Sequence, residues 1–497
     1  MRLGERREAT FRYDAPGGLS RQHGVPPKCV VLSQDRVHLA RFRAPIEGWF
    51  AMWKRIASVL LPVVLPLVTS AQSPDPQLRV EINQIKAIDN HSHPPRVVDP
   101  GERDDDFDAL PCDPLEPSMP TTVSRPENPQ YLAAWRALYN YRYEDASPAH
   151  VRELLQIKQA VRHEQGDNFP NWVLDQLGIE TELANRISLG RGLRPPRFRW
   201  VPFDDALLLP LDNASVANET PDRRFFYSRE EMLLRRYLKD LGLATPPATL
   251  PQYTSRIITP TLESQAKNGA VAIKLEAAYL RSLDFGPIQL DSAAAASEAA
   301  QIYVRYIIRG VPAKSDYTKL QDYLLRYIAR EAGRLGLPVH FHTGGGCGTY
   351  FMLNGSNPAN LESVLNDATL RRTNFVLLHG GAGAFTKHTA YLLMKPNVYA
   401  DFSEQTWLIS TRKLSEVIRD FLEWYPEKVL FGTDLYPNTP EINWEEIGWQ
   451  TSQSGREALA IALTGMMQDG EISRQRALEL AHMVLHDNAA RLYGWQH

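Results

Sequence analysis

Ile88-Asp89-Asn90-His91-Ser92-His93-Pro94 ends an apolar approach formed by Ile82, Ile85 and Ala87, and Pro95 follows it. The pattern reads as a buried strand that stops at two histidines. Side chains two apart on a strand share a face, so His91 and His93 can reach one ion. Imidazole suits zinc and related transition metals. An H-x-H pair also ends ordinary strands, where local hydrogen bonds satisfy both rings. The rest of the chain has to decide between the two readings.

The chain has 497 residues, 43% hydrophobic and 23% charged, which is enough for one large globular domain with extensions. A formal net charge of -3 gives no electrostatic reason to expect nucleic acid. A small-molecule substrate is the expected partner, and a homo-oligomer stays open. Cys29, Cys112 and Cys347 show no metal-type spacing and exclude a disulfide framework. A metal therefore has to be held by His, Asp, Glu or Lys chemistry. Cys347, inside Gly344-Gly345-Gly346-Cys347-Gly348, reads as a small filler or a substrate neighbour.

Residues 1–51 are rich in Arg, Gly and Pro and lack periodicity, so they read as a non-native or disordered extension. Met52-Trp53-Lys54-Arg55, the apolar run Ile56 to Val68 and Thr69-Ser70-Ala71 follow the order of a signal peptide over 52–71, cleaved after Ala71. Pro62 and Pro66 interrupt a run already short for a membrane span. The expectation is a periplasmic or secreted protein with no stable span after cleavage.

Beyond the H-x-H strand lies an insertion, 96–170, whose Asp104, Asp105, Asp106 and Asp108 read as a solvated loop rather than a calcium site. From Gly178 onward, short apolar strands alternate with helical patterns. The strands are read at Ile179–Ile187, Phe198–Phe203, Ala270–Ala277, Leu337–His342, Asn374–His379, Val398–Phe402 and Lys428–Gly432. The helices between them include Ser255–Asn268, begun or broken at Pro260, and Ser454–Asp469. With the first strand this makes eight βα units, which predicts an α/β fold: a (β/α)8 TIM barrel over residues 80–495, with helical insertions after strands one and three.

In such barrels the chemistry sits where strands end. Lys274 and Glu276 lie on strand four, His340 and His342 on strand five, His379 at the end of strand six and Asp434 at the end of strand eight. Ionisable groups are costly to bury without partners, so this pattern points to one shared site. His342 is preferred to His340 because it abuts the Thr-Gly turn; His340 can instead support its neighbour's ring. Asp434 reads as a ligand rather than a helix N-cap, since Pro437 and Pro440 follow. Arg186 after strand two, and Tyr279 and Arg281 after strand four, are candidates to hold a substrate, the arginines by clamping a carboxylate, with surface salt bridges as the alternative for them.

The order H-x-H, Lys or Glu, His, His, Asp resembles the amidohydrolase superfamily. Phe341-His342-Thr343-Gly344, Leu378-His379-Gly380 and Phe431-Gly432-Thr433-Asp434 resemble its amidohydrolase-related branch, amidohydrolase family 2. Ile273-Lys274-Leu275-Glu276-Ala277-Ala278-Tyr279 is similar to the amidohydrolase domain of nodulin-type proteins fused to glutamine synthetase. The resemblance implies His91, His93, His342 and Asp434 as metal ligands, with zinc the expected ion. It implies Asp434 as the proton shuttle, and His379 as a second-metal ligand or the group that polarises substrate. The reaction it implies is hydrolysis of an amide, ester or lactone by a metal-bound hydroxide; non-oxidative decarboxylation on the same site is the alternative. One metal is expected and a second stays open, depending on whether Lys274 is carboxylated.

Overall fold

The computed structural model describes residues 73–495. The extension read at 1–51 and the signal peptide read at 52–71 lie outside these described residues. The strands are β1 Ala87–Ser92, β2 Ile179–Asn185, β3 Phe198–Val201, β4 Ile273–Leu275, β5 Val339–His342, β6 Phe375–Leu378, β7 Val398–Asp401 and β8 Val429–Leu430. They pair in parallel, in the orders β1-β2-β3 and β4-β5-β6-β7-β8. Isolated parallel bridges, Trp200 to Ala270 and Phe203 to Lys274, join the two ladders at β3 and β4. At the other seam Asn90 N donates to Phe431 O, and Asp434 N donates to His91 O. The barrel therefore closes, as eight alternating βα units require.

The interior is small and apolar. Ile88, Leu183, Val201, Ala272, Val376, Leu378 and Leu430 meet there. All six residues of β1 are buried, as expected of a parallel strand covered on both faces. Buried polar groups lock the seam: Asp89 accepts from Thr433 N at 2.9 Å and from Thr433 Oγ1 at 2.5 Å.

Several strands are shorter than read, β4 ending at Leu275 so that Glu276 follows it, and three helical boundaries differ for a local reason. Ile82 belongs to a helix, Pro76–Gln84, rather than to the approach of β1. Asp75 caps that helix at Leu78 N, Pro76 opens it, and Leu78 and Ile82, four apart, bury one face. Pro260 lies in the first turn of Thr259–Lys267, as read, but the helix there is not a fresh start: Leu250–Tyr253 widens into a π turn over Thr254–Ile258 and runs on into it. The helix read at Ser454–Asp469 begins at Trp444, where Asn443 and Glu446 form a capping box.

The insertions are anchored, not loose. Helices Pro129–Tyr139, Pro148–Gln165 and Phe169–Leu177 fill the β1–β2 connection. The buried Lys158 ties them down, reaching Glu446 at 2.7 and 2.8 Å. The acidic stretch is not a solvated loop. Asp104 pairs with Arg96 and Arg186, Asp106 with Arg236, and Asp108 with His93. Cys112 and Cys347 form a disulfide, which corrects the reading of Cys347 as filler and joins the first insertion to the loop after β5. Spacing could not reveal it, because the partners lie 235 residues apart.

Candidate metal centre

β1 and β8 are neighbours, so the H-x-H pair and Asp434 arrive at one place. His91 Nε2 is 3.1 Å and His93 Nε2 is 3.6 Å from Asp434 Oδ1. Among the described residues, this trio is the set of His, Cys or carboxylate donors whose ligand atoms all lie within 4.8 Å of one another. Two imidazoles and one carboxylate are a donor set for a divalent transition metal, and they leave coordination positions open. The protonation states agree with this: burial and Lys274 hold the His91 imidazole well below its usual range, leaving a neutral ring with a lone pair. Burial pushes the Asp434 carboxyl up to about 7. His93 Nδ1 lies 2.9 Å from Asp108 Oδ2, an ion-pair distance that sets a carboxylate behind the ring.

His379 and His342 form an adjoining pair. His379 Nε2 is 3.0 Å from His342 Nδ1, and the His91 and His379 rings are 5.0 Å apart. His342 Nε2 faces Gly345 O at 2.5 Å, and a carbonyl can only accept. His342 Nε2 therefore carries a proton. The structure places His342 beside the trio rather than in it; to ligate a metal it would have to release one of these contacts. Burial lowers the His342 imidazole to about 3. His379 is braced by Ser403 Oγ, 2.9 Å from its Nδ1, and by Asp401, which accepts from its backbone N at 2.8 Å.

Lys274 is fully buried, with Nζ 3.4 Å from His91 Nε2 and 4.0 Å from Glu276 Oε1. Glu276 Oε2 has no hydrogen-bond partner. The Tyr279 ring packs 4.6 Å from that of His342. Three other candidates are directed elsewhere. Arg186 is buried, its guanidinium held by Asp104 and by the carbonyls of Pro94, Ser188 and Leu189, so it clamps the first insertion and not a ligand. Arg281 pairs with Asp322 and Gln321 and stacks on Phe285. His340 meets the Tyr493 hydroxyl at 2.9 Å.

Sequence reasoning missed Glu404, just after β7. It is buried, and burial with Asp434 nearby raises its carboxyl well above the usual range. A Cβ at Gly345 would lie 2.7 Å from Glu404 Oε1, so the glycine makes room for it. The polar run Asp401, Ser403 and Glu404 at a strand end was the available signal. His379, Glu404 and Asp434 also share a backbone feature: φ is 64°, 57° and 56°. Non-glycine residues seldom adopt this left-handed conformation, and such strain concentrates at functional sites.

The closed (β/α)8 barrel, from β4 onward, is similar to amidohydrolases. The amidohydrolase family model matches residues 268–495, from just before β4 to the last described helix. Protein fluG of Emericella nidulans is 30% identical over 183 residues, covering 35% of this chain and 20% of that protein, so the chain spans a fifth of its relative's length. Two solved structures share the fold. One, a candidate metal-dependent hydrolase of Lactobacillus casei, is 15% identical, with a TM-score of 0.51 over 85% of this chain and 98% of that one. The other, a uronate isomerase of Bacillus halodurans, is 10% identical, with a TM-score of 0.50 over 84% and 95%.

Proposed function

We propose that the protein is a metal-dependent hydrolase that opens an amide, ester or lactone bond at the mouth of the barrel. The convergence of His91 Nε2, His93 Nε2 and Asp434 Oδ1 carries this reading. Zinc suits the set, and a divalent ion there supplies Lewis-acid polarisation and acidifies water. Asp434, a carboxylate beside the open positions of that ion, would accept a proton and return it to a leaving group. His379, neutral and fixed by Ser403 and Asp401, is positioned to stabilise charge developing on a substrate oxygen. Lys274, as a cation between His91 and Glu276, suits a single metal; a second ion would require its carboxylation.

Metal analysis of protein purified without added metal should find one equivalent per chain, removed by chelation together with activity. Two equivalents would overturn the single-metal reading. A panel of amides, esters and lactones should release acid or amine. Carbon dioxide without either would replace hydrolysis by decarboxylation.

We also propose export to the periplasm or beyond, with the segment 52–71 as leader. The Cys112–Cys347 disulfide supports this, since such bonds persist in oxidising compartments. No helix among the described residues is long and apolar enough to cross a membrane. N-terminal sequencing of the natural protein should begin after Ala71; a chain starting at Met1 would overturn the proposal.

A further inference from the structure

Four carboxylates from four separate segments meet beside the metal-binding trio, where β3 and β4 end. Asp205 follows β3, Glu276 follows β4, Asp108 comes from the first insertion and Glu230 from helix Pro221–Asp240 of the second. Glu276 N donates to Asp205 Oδ2 at 2.6 Å. Asp108 touches His93, which links the group to the trio. The helix is clamped over this place at both ends. Tyr227 donates to Leu280 O, beyond β4, and Tyr237 donates to Phe203 O, beyond β3. Glu230 lies three residues from one tyrosine and seven from the other, on the same helical face, so it is aimed between them. Burial, with Asp205, Asp108 and Asp204 close by, raises its carboxyl well above the usual range.

Glu230 is fully buried, yet neither of its carboxylate oxygens has a hydrogen-bond partner. Asp205 Oδ1 and Glu276 Oε2 are also unpartnered and buried. Buried polar atoms left in this state are costly whether or not they are ionised, because a protonated carboxyl would equally need an acceptor. The protein's own cations do not complete the group. Arg223 and Arg236, on the same helix, pair with Glu219 and Asp106, and Lys274 lies 4.0 Å from Glu276 while also facing His91.

We infer that these carboxylates form a subsite for an organic cation, the ammonium or guanidinium group of the substrate, held beside the metal centre by Glu230, Asp205 and Glu276. The spacing favours an organic cation over a metal ion. Among the described residues the one set of three donors tight enough for an ion is His91, His93 and Asp434. A guanidinium, with five N–H donors spread over a plane, can satisfy carboxylates that lie further apart. The inference names a substrate class for the proposed hydrolase and rests on that reading for the reaction, but not for the binding.

The test is isothermal titration of the purified full chain with 1-butylguanidinium and with its uncharged isostere, butylurea, alongside metal analysis. Butylguanidinium should bind and butylurea should not. Glu230→Gln should weaken the cation by about tenfold or more, the scale of one lost charge-assisted hydrogen bond, with metal content unchanged. Glu276→Gln should weaken it similarly, which gives a second reading if the first variant folds poorly. Equal affinity for the two probes, or unchanged binding in both variants, overturns the subsite. So does a calcium titration that saturates a site abolished by Glu230→Gln. None of these readings requires turnover, so an absence of metal or of hydrolysis would count against the hydrolase and not against the subsite.

Discussion

The two halves of the barrel are built differently. From β4 to β8, within the matched residues 268–495, strand ends place Lys274, His342, His379, Glu404 and Asp434 at the mouth directly. From β1 to β3, the strands contribute His91 and His93, but long insertions supply what surrounds them: Asp108, Glu230 and the disulfide partner Cys112. The contrast separates two roles. On the proposed reading, strand ends hold the reacting groups, because rigid elements fix geometry best. On the same reading, the insertions would set what the reacting groups meet, and with it the choice of substrate.

The sharpest way to break this division is at Asp434. Asp434→Asn keeps the shape but removes a ligand charge and the proton acceptor, so turnover should fall by about 10²- to 10⁴-fold with little change in melting temperature. A comparable loss of fold would make Asp434 a structural residue of the seam, where its backbone N already bonds His91 O.

The same division explains what the sequence could tell. The strand-end residues were legible because each sits at the close of a short apolar run, where an ionisable side chain needs a reason to be there. The eight strands and the reading of a barrel follow from that rhythm. The insertions gave no such signal. Asp104, Asp106 and Asp108 look like a solvated acidic stretch until Arg186, Arg236 and His93, far away in sequence, are brought against them. Arg186 and Arg281 looked like carboxylate clamps because their partners belong to other elements. Pairing across long separations is a property of the packed chain and leaves no local pattern.

The disulfide tests whether the first insertion needs fastening. Replacing Cys112 and Cys347 together by serine should cost about 2–4 kcal/mol, read as a lower denaturation midpoint in the absence of reductant. Wild type in reductant should match the double variant. If neither changes stability, the Lys158–Glu446 contacts suffice to hold the insertion.

A smaller effect is expected at Asp108, the insertion's contact with the trio. Asp108→Asn leaves His93 in place but removes the carboxylate charge behind its ring. Metal affinity should fall by about 10- to 100-fold, measured by competition with a chelator. Unchanged affinity would mean that the strand end alone orients the ligand, and would confine the insertion's role to substrate.

The smallest effect concerns Asp204, at the start of the second insertion. It is fully buried, accepts one hydrogen bond from Gln265 Nε2 at 2.9 Å, and has an unpartnered Oδ2. Burial raises its carboxyl from 3.8 to about 7. The folded chain thus keeps a proton that the unfolded chain releases. This contribution to stability is fully present below about pH 4 and is lost as pH rises through 7. Asparagine has no charge to bury at any of these pH values. Asp204→Asn should therefore gain about 1 kcal/mol over wild type at pH 8, and the gain should shrink toward pH 5. A variant less stable than wild type at pH 8 would show that the ionised carboxylate is stabilised in the fold, and that a cation reaches this end of the acidic group as well.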